Sequence, residues 1–387
     1  MRHLAGRNEG IAPFRVMELM AQSRELEAQG KRIIHLEIGE PDFPPPRPVA
    51  EAGVEAIKNC PMGYTPAAGL ESLRKSISDH YFRRYGVEVS PERIFLTPGA
   101  SGAFVLVLAL LLEAGDQVLM SDPGYPCNRN FVRLYDAEPV LIPVGPESNF
   151  HLTVEAIQNA WKDRTCGVWI ASPGNPTGTI ICQQQLQRIW EEVQRRAGFL
   201  LSDEIYHGLE YGRACASVLQ YTQEAFVVNS FSKYFGMTGW RLGWLIVPEQ
   251  AIAATTRLIQ NLFISAPTHS QYAALAAFSA DTMILLEQRR RRFEARGDFL
   301  YHALKRLGFG IPSRPQGAFY LYADCSRFSS NSERFCQDLL HRAGVAVTPG
   351  VDFGLRDAQT HVRFAFTTGM ENLQEGIDRI RGFLQTI

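Results

Sequence analysis

The sequence lacks a disulfide framework, a cysteine pattern for metal and a membrane segment. Its seven cysteines (Cys60, Cys127, Cys166, Cys182, Cys215, Cys325 and Cys336) are odd in number and include no C-x-x-C pair. That pattern excludes a zinc ribbon or a disulfide-stapled scaffold and fits reduced thiols in the cytoplasm. No apolar run approaches the roughly 18 residues needed to span a bilayer, and the first residues hold no apolar signal core, so a cytoplasmic protein is expected. Net charge is also missing. A formal charge of −1 over 387 residues leaves no electrostatic footprint for nucleic acid or an acidic membrane surface. The one basic run, Arg289-Arg290-Arg291-Arg292, sits inside a helical periodicity (Leu285, Leu286, Phe293, Phe299, Leu300, Leu304) and reads as a solvated helix face. There is no internal repeat and no low-complexity linker.

What is present is an ordinary globular composition, 45% hydrophobic and 20% charged, in a chain long enough for two lobes and a large core. Val16, Leu19, Met20 and Leu26 fall on one helical face after an N-terminal arm. Residues 33–38 read as a strand, ended by Gly39-Glu40-Pro41-Asp42. Pro48 to Asn59 reads as a helix, and a second helix runs to Tyr85 after the loop Gly63–Leu70. Short apolar strands then alternate with helices. The strands are placed at 94–97, 117–121, 139–143, 167–171, 199–202 and 225–229, with helices at 104–113 and 184–196. This alternation predicts an α/β fold with a mainly parallel sheet covered on both faces. Residues 242–247 return too soon for a helical crossover, so that strand is expected antiparallel to 225–229. A long periodic stretch, 281–307, bridges to a second lobe of strands near 318–322, 345–348 and 361–366, with a helix near 333–343.

One loop draws the chemistry together. Ser230-Phe231-Ser232-Lys233 follows the apolar run ending at Asn229, and Arg241 lies eight residues beyond the lysine. In open α/β sheets ligands bind outside the carboxyl ends of the strands. Hydroxyls and a guanidinium hold phosphate, and a lysine beside them suits an imine with a phosphorylated aldehyde, which is what pyridoxal phosphate is. The same residues read equally well as a lysine on an exposed serine-containing turn. Asn175 and Asp203 tip the balance. Asn175, Asp203 and Lys233 each follow a predicted strand, 28 and 30 residues apart, and would meet at one sheet edge. The turn Pro98–Ala103 ends another strand there and feeds a helix, which suits an anion. Tyr125 follows a further strand. A carboxylate for the pyridine nitrogen, donors for the ring oxygen, an aromatic face and a phosphate seat are the parts this cofactor needs.

With these motifs the chain resembles the class I/II aminotransferases of the fold-type I pyridoxal-phosphate enzymes. The resemblance runs from Ile38-Gly39-Glu40-Pro41-Asp42 through Ser172-Pro173-Gly174-Asn175-Pro176-Thr177-Gly178, Asp203-Glu204-Ile205-Tyr206 and Ser230-Phe231-Ser232-Lys233 to Arg363-Phe364. It implies a large pyridoxal-phosphate domain over 48–280 and a smaller α+β domain built from both termini, 1–47 and 281–387. It implies that Lys233 is the Schiff-base lysine, Asp203 pairs with the pyridinium, Asn175 and Tyr206 bond the phenolic oxygen, and Tyr125 stacks on the ring. Ala100, Ser101, Ser230, Ser232 and Arg241 would hold the phosphate, joined by Tyr64 from the partner subunit of an obligate homodimer. Gly39, Asn175 and Arg363 would bind the substrate, Arg363 as a fork on the α-carboxylate. Catalysis would rest on Lys233, Asp203 and Tyr206, with no metal. Asn175-Pro176 is the candidate cis bond. The expected activity is ping-pong amino transfer from an L-amino acid to a 2-oxo acid such as 2-oxoglutarate. Aspartate aminotransferases in one subgroup carry a lysine where Ser101 stands here, which points to neutral or aromatic donors. A C–S lyase or carbon-chain synthase on the same scaffold keeps every one of these residues. A non-enzymatic cofactor-sensing regulator would resemble chains with an added DNA-binding domain.

Overall fold

Short apolar runs bounded by Pro, Gly and Asp decide the centre of the molecule. The computed structural model describes residues 5–387; the first four residues of the expected arm lie outside the described residues. Helix α1 (Arg15–Ala28) leads to a two-residue strand, β1 (Ile34–His35), and to helices α2 (Arg47–Asn59) and α3 (Glu71–Tyr85). Seven strands then build the main sheet: β2 (Ile94–Thr97), β3 (Gln117–Asp122), β4 (Glu138–Pro143), β5 (Thr165–Ala171), β6 (Phe199–Asp203), β7 (Phe226–Ser230) and β8 (Gly243–Ile246). Their spatial order is β2-β8-β7-β6-β5-β3-β4. Only β8 runs against the others, antiparallel to both β7 and β2, as its short connection requires.

Alternation within these strands feeds two cores. Val227, Leu200, Val168, Leu119 and Trp244 point to one face, and Val228, Leu201, Trp169, Val118 and Leu245 to the other. Each fully buried side chain of this size contributes roughly 1.5–3 kcal/mol. The sheet is therefore packed on both faces, and the site residues gather where its parallel strands end.

Helix α4 (Gly99–Leu111) follows β2 directly, so most of the expected turn Pro98–Ala103 is already helical. Helix α5 (Pro126–Arg133), helix α6 (Val154–Ala160), helix α7 (Gln183–Arg195), helix α8 (Ile252–Leu262) and helix α9 (Thr268–Leu275) complete the large lobe. Helix α10 spans Ala280–Leu307, starts on the Ser279 hydroxyl, which accepts the Thr282 N–H at 3.3 Å, and stops at left-handed Gly308. It connects the two lobes. Its basic run is not a uniformly solvated face: Arg290 pairs with Glu287 and Glu294, and the Arg289 and Arg292 guanidiniums lie over the Phe43 ring.

The second lobe holds β9 (Tyr320–Asp324), helix α11 (Ser332–Asp338), β10 (Val345–Ala346), β11 (Thr348–Pro349), β12 (His361–Ala365) and helix α12 (Met370–Leu384). Strands β11-β12-β9 form an antiparallel sheet, and β1 from the N-terminal segment pairs in parallel with β10. The smaller α+β lobe is thus built from both ends of the chain. The strand expected over 33–38 shortens to β1 because its later carbonyls are taken elsewhere. Leu36 O accepts from Ala365 N–H, Glu37 O from Arg363 and Ile38 O from Thr367 Oγ1. Likewise 345–348 splits between two sheets. No helix among the described residues is long and apolar enough to cross a membrane.

Candidate active site

Strands β5, β6 and β7 end side by side, and a cavity of about 380 Å³ opens there. Asn175, Asp203, Tyr206, Ser230, Ser232 and Lys233 line its sheet side, while Gly39, Tyr320 and Arg363 line it from the second lobe. Three X-Pro bonds near this edge are cis: Asp122-Pro123, Ser172-Pro173 and the expected Asn175-Pro176.

Lys233 is half-buried at the cavity wall, and its Nζ donates to the Gly39 carbonyl at 2.7 Å. Desolvation disfavours the ammonium and lowers its pKa to about 8; the carboxylates of Glu40 and Asp203 oppose this, and the Arg363 and Arg241 charges add to it. A Cβ on Gly39 would sit 2.4 Å from the Tyr320 hydroxyl oxygen, so a larger residue there has to displace that tyrosine.

Asp203 closes β6 with its carboxylate desolvated. Burial pushes it up to about 7, against the Ile205 N–H that it accepts at 3.2 Å and the charge of Lys233. It has no salt-bridge partner among the described residues, so a buried carboxylate faces the cavity short of a cation. Beside it, Tyr206 and Tyr320 share a hydroxyl–hydroxyl hydrogen bond of 2.8 Å.

Arg363 is 3% exposed and tightly fixed. It donates to Asn175 Oδ1 at 3.1 Å, Glu37 O at 2.5 Å and Thr348 Oγ1 at 3.3 Å, and its guanidinium lies 4.4 Å from the centre of the Tyr320 ring and 4.8 Å from that of Phe353. Its Nε is buried with no partner.

At the other end, α4 begins without a side-chain cap, which leaves its first N–H groups, around Ala100 and Ser101, free for an anion. Ser230 Oγ accepts the Ser232 N–H at 3.0 Å, and Arg241 takes a left-handed backbone (φ 50°) that turns it toward this helix start. A Cβ on Gly99 would meet Arg241 Nη2 at 2.6 Å. Tyr125 lines the cavity, its ring edge-on to Phe14 at 6.0 Å. Of the expected residues, only Tyr64 stands apart: it is 81% exposed and outside the cavity of its own chain.

Sequence reasoning missed the roof and one wall. Phe14, Val16, Met17 and Met20 line the cavity mouth, and the face expected of α1 divides. Leu19 and Leu26 pack instead with Ile33, Leu340 and Ala346 of the second lobe. Tyr320 lay in a predicted strand with no role assigned; nothing local marks its reach to Tyr206. His207, singled out by no motif, is buried outside the cavity and bonds the Tyr85 hydroxyl at 2.6 Å.

A lysine amine poised near neutrality, a buried carboxylate lacking a cation, an aromatic face and an open helix N-terminus beside serines and arginine fit pyridoxal 5'-phosphate. Fold and site together define a fold-type I pyridoxal-phosphate enzyme. The chain matches the family "Aminotransferase class I and II" over residues 31–380 and belongs to it. It is 37% identical to the valine–pyruvate aminotransferase of Mycobacterium tuberculosis, with 97% of each chain covered. It is 36% identical to the (5-formylfuran-3-yl)methyl phosphate transaminase of Methanocaldococcus jannaschii, with 96% of each covered. The crystal structure of an aminotransferase from M. tuberculosis superposes with a TM-score of 0.97 at 37% identity over 100% of both chains. The aspartate aminotransferase of Thermus thermophilus with maleate gives 0.93 at 32% identity, covering 99% of this chain and 100% of that one. The protein is a pyridoxal-phosphate-dependent aminotransferase.

Proposed function

We propose that the enzyme moves the amino group of a neutral or aromatic L-amino acid to a 2-oxo acid such as 2-oxoglutarate, in two ping-pong half-reactions, as a cytoplasmic homodimer. The cavity wall carries the substrate reading. Apart from Arg363 and Arg241, no guanidinium lines the cavity among the described residues, and its mouth is Phe14, Val16, Met17, Met20 and Ile38. A second carboxylate on the substrate would lie against hydrocarbon. An uncharged side chain gains about 25 cal/mol for each Å² it buries there. The valine–pyruvate relative supports this reading, while the Thermus relative is named for aspartate. Seven free cysteines support a reducing compartment.

When bound, pyridoxal phosphate supplies an electron-accepting ring in conjugation with the substrate Cα. Ala100, Ser101, Ser230, Ser232 and Arg241 would hold its phosphate, Tyr125 its ring face, Asp203 its ring nitrogen, and Asn175 and Tyr206 its ring oxygen. Arg363, with Asn175 and the Gly39 backbone, holds the substrate carboxylate. Lys233 Nζ takes the proton from Cα as base and returns a proton as acid; a pKa near neutrality suits both roles.

Absorbance spectra of the holoenzyme with each amino acid in turn test the reading. Leucine, methionine and phenylalanine are expected to bleach the cofactor's visible band, and aspartate to leave it. A strong preference for aspartate over every neutral amino acid would overturn the substrate class. A Lys233→Ala variant that kept wild-type turnover would overturn the site.

A further inference from the structure

We propose that Asp352 is a specificity-positioning residue, which caps helix α1 from the second lobe and so fixes the apolar roof of the substrate cavity. Helix N-caps ordinarily use the residue just before the helix. In α1 that residue is Phe14, which makes no side-chain cap bond. The carboxylate of Asp352 does the work instead. Its Oδ1 accepts the Arg15 N–H at 3.1 Å and its Oδ2 the Val16 N–H at 3.3 Å. Asp352 is 3% exposed, so its carboxylate is largely withdrawn from water and salt while the two bonds it accepts are part-buried. The Arg15–Glu333 ion pair nearby is partly exposed on both sides and is a weak substitute.

The turn that carries Asp352 is wedged in place and touches the catalytic parts on either side. A Cβ on Gly350 would meet the carbonyls of Ala358 and His361 at 2.5 and 2.6 Å, so the turn has no room to slide. The Asp352 carbonyl accepts from Arg129 at 2.9 Å, and the Phe353 carbonyl accepts the Gly124 N–H at 2.9 Å, next to Tyr125. The Phe353 ring lies on the Arg363 guanidinium. One short segment therefore ties the carboxylate-binding arginine to the start of α1. The other anchor of α1 is apolar, Leu19 and Leu26 against the second lobe. Val16, Met17 and Met20 lie at and just beyond the capped end, and the cap sets how deeply they reach into the cavity. A substrate side chain long enough to touch them feels the cap; a methyl group does not.

This inference rests on the reading that the substrate side chain is apolar, and the test separates the two. Steady-state kinetics with phenylalanine and with alanine are compared for wild type, Asp352→Ala and Asp352→Asn holoenzymes, together with hydrogen exchange of the α1 amides. Asp352→Ala is expected to raise KM for phenylalanine roughly tenfold, with kcat little changed. KM for alanine should stay near wild type, and the α1 amides should exchange faster. Asp352→Asn keeps one of the two acceptor oxygens and should recover part of both the KM and the protection; a variant no better than Asp352→Ala in both would count against the cap. Equal losses with both substrates, or α1 protection unchanged in Asp352→Ala, would overturn the proposal. If wild type instead prefers an acidic substrate, the substrate reading fails, and loss of α1 protection in Asp352→Ala with partial recovery in Asp352→Asn still decides the cap. Should Asp352→Ala fail to fold, Met20→Ser alters the roof without the cap and is expected to show the same selective loss with phenylalanine; equal effects on both substrates would overturn the role of the roof.

Discussion

Asp203 shows what a single residue costs the fold in exchange for chemistry. Its carboxyl titrates at about 7 in the folded chain against 3.8 for an exposed one, because burial strips its hydration and one N–H does not replace it. The folded state therefore holds a proton that the unfolded state has already lost. Stability falls as pH rises from about 4 to about 7 and stays reduced above that. A cationic ring nitrogen in the cavity would relieve the strain, which ties the proposed role of Asp203 to stability of the cofactor-free chain. Replacing it by the uncharged isostere should then stabilise the apoprotein at pH 8 by about 2–4 kcal/mol, with the gain shrinking toward pH 4. The same Asp203→Asn change should cut amino transfer by at least about a hundredfold. Urea unfolding of the two apoproteins across this pH range checks it, and an Asp203→Asn apoprotein less stable than wild type at pH 8 would contradict it.

Among the elements, β8 and α4 set the phosphate end. Gly243 opens β8 opposite Ser230, and a Cβ there would lie 2.8–2.9 Å from Gly99 C, Ala100 N and Asn229 O. These are backbone atoms that cannot swing aside, so the helix start approaches the serine only because the strand begins with glycine. Gly243→Ala should push the first turn of α4 off Ser230 and Arg241. Overpacking of this kind costs about 1–3 kcal/mol, which, if spent on the phosphate seat, lowers cofactor affinity by roughly five- to hundredfold. Titration of apoprotein with pyridoxal phosphate, with far-UV circular dichroism unchanged, is the check. The same elements show what a sequence can carry. Strands β5, β6 and β7, and the site residues just past them, were legible because each is a short apolar run stopped by a polar or proline-rich turn. The helical start of α4 was not, because Gly99-Ala100-Ser101-Gly102 has the composition of a turn and becomes helix only by packing on β8. Tyr320 and the division of the α1 face were hidden for the same kind of reason. Their partners, Tyr206 and Leu340, lie more than a hundred residues away, and no local period records such a contact.

At the scale of the whole molecule, one exposed residue bears on the proposed dimer. Tyr64 leaves 81% of its surface to solvent, and Val54, Ile57 and Met62 on the same stretch of chain are also exposed. An apolar, aromatic surface of that kind suits a two-fold partner. If the partner subunit's Tyr64 completes the phosphate seat, each site of the proposed dimer draws on both chains. Subunit mixing then gives a result that neither variant gives alone. Tyr64→Phe should weaken cofactor binding at both sites, and Lys233→Ala should abolish turnover at both. In a hybrid dimer, the site that keeps Lys233 receives an intact tyrosine from the Lys233→Ala chain, while the other site carries both defects. Random reassociation of equal amounts should therefore restore wild-type cofactor affinity and turnover at roughly a quarter of all sites. Activity of the mixture at limiting pyridoxal phosphate measures this, and a mixture no better than the average of its two parents would show that Tyr64 serves its own chain or none.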